Sequence, residues 1–149
     1  MKNQKVNTAL LRVLADTVSI SLKTLCFHWS VTGPFFTPLH KLFEEQYKEL
    51  LQAADEIAEQ IKANNGVTPA GMVDMLKPTG IVENKDAALT WRAQLHALLK
   101  DHESIVKTLN NALEVAAGHK DEPSADLIID RVRAHEKIVW ILKAHLEDK

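Results

Sequence analysis

Apolar side chains recur at helical spacing in two adjacent rows between Val6 and Val31. One row is Leu11, Leu14, Val18 and Leu25, with His28 at the next step. The other is Val6, Leu10, Val13, Ile20, Phe27 and Val31. Steps of three and four residues stack side chains on one face of a helix, so two such rows predict a helix with a wide buried face. Thr32-Gly33-Pro34 stops it, since glycine closes a last turn and proline cannot continue one. A second helix is expected from Thr37-Pro38, read as cap and first helical position. It carries Phe43, Tyr47, Leu50, Ala54, Ile57 and Ile61 and ends around Asn64-Asn65-Gly66. Thr68-Pro69 opens a short helix through Met75, closed by Lys77-Pro78 and Gly80.

A third long helix is expected from about Asp86 to Ala117, with Leu95, Leu98, His102, Ile105, Leu109 and Ala112 on one face and Gly118 ending it. A fourth starts after Pro123 with Ser124 as cap and shows Ile128, Val132, His135, Val139, Leu142 and Leu146. No strand alternation, repeat or flexible linker interrupts the pattern. The expectation is an all-α, four-helix bundle with a short helix in the crossover between helices two and three. The linking segment from Gly66 to Lys85 is long enough to span the bundle, which lets those two helices run parallel.

Composition narrows the class without changing that picture. Hydrophobic residues make up 46% of the 149 and charged residues 26%, enough apolar surface to exclude disorder and consistent with one domain over residues 1–149. No apolar run approaches the twenty residues that a membrane span needs. Met1 to Thr8 carry only Lys2 and Lys5 as basic residues, so no signal peptide is readable. The lone Cys26, read as a small core residue, fits a reducing cytoplasm, which is the expected location.

Candidate chemistry gathers on the first two helices. His28 lies within a turn of the end of one, and His40 within a turn of the start of the next, so a short loop brings both imidazoles to the same end of an antiparallel pair. Glu44 follows His40 at i+4, and Asp55 and Glu59 form a second i, i+4 pair farther along. The eleven steps from Glu44 to Asp55 return to within about 20° of the same azimuth, giving a polar seam on a helix expected to be apolar elsewhere. Taken singly, each feature is ordinary: carboxylate pairs sit on solvated faces, and a histidine on an apolar row is usually a hydrogen-bonded core residue. Aligned together, two imidazoles and three carboxylates suit a metal ion, and carboxylate richness favours iron. Eleven residues also cover about 16 Å, so the two ends of the seam cannot hold one ion within one chain. Either each end is a half-site, or a second copy of helix two lies antiparallel across a two-fold axis and completes two sites per dimer.

Several strings in this chain resemble the Dps-like mini-ferritins. They are Phe27-His28-Trp29-Ser30-Val31-Thr32-Gly33-Pro34-x-Phe36, Leu39-His40, Asp55-Glu56-Ile57-Ala58-Glu59, and His135-Glu136-Lys137-x-x-Trp140. The resemblance covers essentially the whole chain. It implies a ferritin-like bundle assembled into a hollow dodecamer, with a ferroxidase centre between two-fold-related subunits. It also implies His28, His40, Glu44, Asp55 and Glu59 as iron ligands and catalytic residues, with Trp29 beside the centre. Glu44 stands where many members carry Asp, and Gln60 where Arg is usual.

The function this implies is oxidation of Fe(II), with hydrogen peroxide as oxidant, and mineralisation of Fe(III) inside the shell. The alternative weighed against it is a DNA-coating protein. DNA-binding members commonly use a Lys/Arg-rich extension, whereas Lys2 and Lys5 are the only basic residues here before the helix, and the chain ends Leu146-Glu147-Asp148-Lys149. Twelve copies at −2 each carry about −24 per shell, a charge that repels phosphate, so DNA binding is expected to be weak or absent. Asp121, Asp126 and Asp130 cluster where the family's chain approaches a three-fold axis, which suggests a pore guiding Fe(II). Acids also favour a helix N-terminus for its dipole alone. His96, His102, His119, His135 and His145 are read as packing or surface residues.

Overall fold

A computed structural model describes residues 2–147. Five helices appear in the order α1 Lys2–Ser30, α2 Phe36–Ala63, α3 Met72–Leu76, α4 Trp91–Gly118 and α5 Glu122–Leu146, and no strand occurs among the described residues. Of the two rows on α1, the one from Val6 to Val31 is buried throughout. The other is buried at Leu14 and only partly so at Leu11, Val18 and Leu25. Among the described residues, no helix is long and apolar enough to cross a membrane.

Helix ends depart from expectation where side-chain caps compete. Phe35, not Thr37, precedes the first residue of α2, and no side chain caps it. Pro38 therefore sits in the first turn, where a missing N–H costs no helical bond. Thr68-Pro69 stays in loop, and the short helix spans only Met72–Leu76. Residues 86–90 do not join α4, because Asp86 Oδ1 accepts from the Ala88 backbone N–H at 2.8 Å, a local turn that competes with helix. Thr90 then caps α4, accepting from Ala93 N–H at 3.2 Å. At α5 the cap is Asp121, which accepts from the Ser124 backbone N–H at 3.1 Å and from its hydroxyl at 2.9 Å. Ser124 is a buried residue one turn inside.

Ties between ends give the topology. His28 meets His40, Gln94 Nε2 donates to Ser30 Oγ at 2.9 Å, and Asn64 Nδ2 donates to Asp121 at 3.0 Å. These make α1 antiparallel to α2 and α4, and α2 antiparallel to α5, so α2 and α4 run in the same direction. The long crossover between them is held by Asp16, which is fully buried. Its carboxylate accepts from Arg12 Nε at 3.2 Å, Thr79 Oγ1 at 2.7 Å, Gly80 N–H at 2.8 Å and Thr108 Oγ1 at 3.1 Å.

The core has two apolar clusters, one built around Leu10, Leu14, Leu50, Ile57, Ile105 and Ile128, the other around Phe27, Phe43, Leu95, Leu98 and Leu142. A polar belt separates them and links all four long helices at one level. Ser21 Oγ donates to Tyr47 O at 3.2 Å between α1 and α2, and Lys23 pairs with Asp101 at 2.6 Å between α1 and α4. His102 and His135 meet through their Nδ1 atoms at 2.8 Å between α4 and α5, and Arg131 of α5 pairs with Glu49 of α2.

Burial pushes His102 down to about 3, and burial, His102 and Arg131 together hold His135 well below 6.5. Burial raises the Asp101 carboxyl against the pull of Lys23. Both imidazoles are thus neutral when folded, while the unfolded chain protonates them below about 6.5. The contribution of His102 to stability is complete above that pH and is lost as pH falls toward about 3, by up to ~1.4 kcal/mol per pH unit, and His135 acts in the same direction. Calorimetric melts across this range should show the midpoint falling with acid. A His102→Gln/His135→Gln variant should show a shallower fall, and an identical slope would contradict the assignment.

Candidate metal centre

His28 lies in the last turn of α1 and His40 in the second turn of α2. Their rings stack with centroids 3.8 Å apart and planes 16° from parallel. Each Nδ1 lies 2.7 Å from the other residue's backbone carbonyl. A carbonyl oxygen only accepts, so both Nδ1 atoms carry the proton and both Nε2 atoms keep a free lone pair. Such a backbone bond is how metal-ligating histidines are commonly oriented. Phe36 stacks 5.0 Å from His40, and Tyr47 sets its edge 5.5 Å from His28. The pair is thereby held from several sides.

Glu44 follows one turn after His40, and Lys48 Nζ reaches its Oε1 at 2.6 Å. The Lys48 ammonium holds the Glu44 carboxyl below its ordinary range, with smaller help from His28 and His40. Imidazole nitrogen and ionised carboxylate are the donor types that suit ferrous iron, but the Glu44 carboxylate is engaged by Lys48 and does not close on one point with the two rings. Asp55 and Glu59 lie farther along α2 and are exposed, about 16 Å and about 22 Å from Glu44 by helical rise. Among the described residues, no three His, Cys, Asp or Glu side chains come close enough to hold a metal ion.

The rest of α2 is not apolar outside the seam. It buries one face, from Leu39 to Ile61, and exposes Lys41, Glu45, Lys48, Glu49, Gln52 and Glu56. Cys26 is exposed rather than a core residue. Trp29 is 67% exposed and packs in no interior. Leu22, Cys26 and Trp29 share a face of α1 at i, i+4 and i+7, and Leu51 precedes Asp55 by one turn on α2.

The ferritin-like domain family matches residues 7–149. DNA protection during starvation protein 2 of Bacillus anthracis is 35% identical over 97% of this chain and 98% of its own length. Among solved structures, Dps from Thermosynechococcus elongatus superposes with a TM-score of 0.95 at 32% identity, covering 99% of this chain and 94% of that one. The Dps protein of Vibrio cholerae O1, described as a member of the ferritin-like diiron-carboxylate superfamily, superposes at 0.93 with 31% identity, covering 98% and 91%. The chain belongs to the Dps-like mini-ferritins.

In this mini-ferritin the three acids near α5 have different surroundings within one chain. Asp121 is occupied as the helix cap and by Asn64. Asp130 pairs with Arg133 at 2.9 Å, and both Asp126 and Asp130 are exposed. Sequence reasoning missed Phe36, Tyr47 and Lys48 around the site, although i−4 from His40 and i+3 and i+4 from Glu44 were available signals. His102 and His135, read as packing or surface residues, are both buried and bond each other. A neutron structure at neutral pH is expected to show His28 and His40 each deuterated on Nδ1. Deuterium on either Nε2 alone would overturn this tautomer assignment.

Proposed function

We propose that this mini-ferritin binds Fe(II) as substrate between two-fold-related copies and oxidises it with hydrogen peroxide, storing the ferric product inside a closed shell of twelve subunits. The observation that carries the reading is the His28–His40 pair, whose two Nε2 lone pairs are fixed outward beside Glu44. Asp55 and Glu59 stand too far along the same helix to share an ion with that pair. An antiparallel copy of α2 brings them opposite it, and the symmetry makes two sites per dimer. The exposed apolar side chains beside both halves, Leu22 and Trp29 on α1 and Leu51 on α2, suit a face that is covered in the assembly.

In the reaction each of two ferrous ions gives up one electron. Peroxide takes both, its O–O bond breaks, and the oxygens leave at the level of water. His28 and His40 offer neutral nitrogen suited to Fe(II), while Glu44, Asp55 and Glu59 supply anionic oxygen that favours the harder Fe(III). Trp29, exposed next to His28, is placed to intercept stray oxidising equivalents. Removing ferrous ion and peroxide together denies both to hydroxyl-radical chemistry. That protects DNA without contact, a reading compatible with the names of relatives such as the Bacillus anthracis protein.

Anaerobic loading with Fe(II) followed by peroxide, read by ferric absorbance, tests the proposal. His28→Ala and Asp55→Ala are each expected to slow oxidation about tenfold or more with shells still formed. Co-assembled shells of the two variants should recover about a quarter of the sites, because each mixed dimer rebuilds one complete centre. A verified mixture no faster than either variant alone would exclude sharing of ligands between subunits.

A further inference from the structure

The polar belt has more hydrogen-bonding capacity than the protein itself fills. His102 and His135 face each other through Nδ1 atoms 2.8 Å apart, so only one of these nitrogens carries a proton. Arg131 decides which. Its Nη2 lies 3.4 Å from His135 Nε2, and a guanidinium only donates, so His135 Nε2 is the bare nitrogen. His135 therefore holds its proton on Nδ1 and donates to His102. His102, neutral in its fully buried position, must then carry its own proton on Nε2.

Among the described residues, that N–H has no acceptor, and neither Gln46 Oε1 nor Gln46 Nε2 nor Arg131 Nε has a partner. Arg131 thus donates both to Glu49 and to His135, and donation passes on through His135 to His102, whose own Nε2–H ends the chain. Gln46 occupies the same level on the opposite helix. It adjoins Tyr47, whose carbonyl takes the Ser21 bond, and lies one turn before Glu49. Both Gln46 and His102 are buried between the two apolar clusters. Helices α2 and α4 each pack against α1 and α5, so these two side chains approach the bundle axis from opposite corners.

Charge restricts what sits between them. The Arg131 guanidinium opposes a cation, and the two carboxylates of the belt, Glu49 and Asp101, are already matched by Arg131 and Lys23. The same pairing leaves no surplus positive charge to hold a buried anion. A small neutral molecule that both donates and accepts satisfies the remaining atoms.

We infer that the belt binds an ordered water on the bundle axis, accepting from His102 Nε2–H and donating to Gln46 Oε1. Its second lone pair faces the remaining donors, Gln46 Nε2 and Arg131 Nε. The water closes the hydrogen-bonded ring across the bundle, so the belt is a hydrated layer and not a dry defect in the core.

A crystal structure of the assembled protein, at a resolution that shows ordered water, is expected to place one within hydrogen-bond distance of both atoms. Direct contact between Gln46 and His102, a metal signal at that point, or no density there would overturn the inference. The sign of a thermal shift gives an independent check. Gln46→Leu keeps side-chain volume but displaces the water and strands the His102 N–H, so the midpoint should fall by a few degrees. If the layer is dry, the same change removes two unsatisfied polar atoms and the midpoint rises, which would refute the water.

Discussion

A carboxylate taken wholly out of water must be given donors by the protein, and Asp16 receives them from three separate segments. Arg12 comes from its own helix, Thr79 and Gly80 from the crossover, and Thr108 from α4. These bonds fix the long connection against the outside of α1 and α4, and Ile81 buries beside them. A Cβ at residue 80 would stand 1.8 Å from Arg12 Nη2 and would displace the guanidinium that bonds Asp16. With the crossover pinned, α2 and α4 run the same way, and α2 is free to turn its seam outward. The candidate site thus depends on a tie far from it in sequence.

Periodicity made the four long helices legible, because each buries a face whose spacing no other element produces. It could not place their ends, since competing caps such as Asp121 and Ser124, or Thr90 and the Asp86 turn, differ only in which backbone N–H is within reach. His28, His40 and Glu44 were readable as neighbours because a short loop and one helical turn leave little choice. The crossed Nδ1–carbonyl bonds were not, because they depend on the distance between two helix axes. The belt was the least legible feature. Gln46, His102 and His135 occupy core positions of their rows, and only the register of four helices reveals that they meet at one level.

That belt also bears on where metal chemistry can occur. In carboxylate-bridged di-iron bundles, Glu and Glu-x-x-His side chains project into the centre from facing helices. Between the two apolar clusters here stand Gln46, two neutral histidines and a guanidinium paired with Glu49. Such a layer opposes a cation and stabilises the bundle through neutral hydrogen bonds, with strong penalties for any partner left unmatched. The acidic side chains suited to iron lie instead on the exposed face of α2, where they do not strain the core of a single chain. With the proposed ligands on that outer face, folding of the subunit and metal binding would be separate events. Under the proposed function the chemistry becomes a property of the assembly: the two ends of the α2 seam would belong to different sites, and association between copies would decide whether either end works.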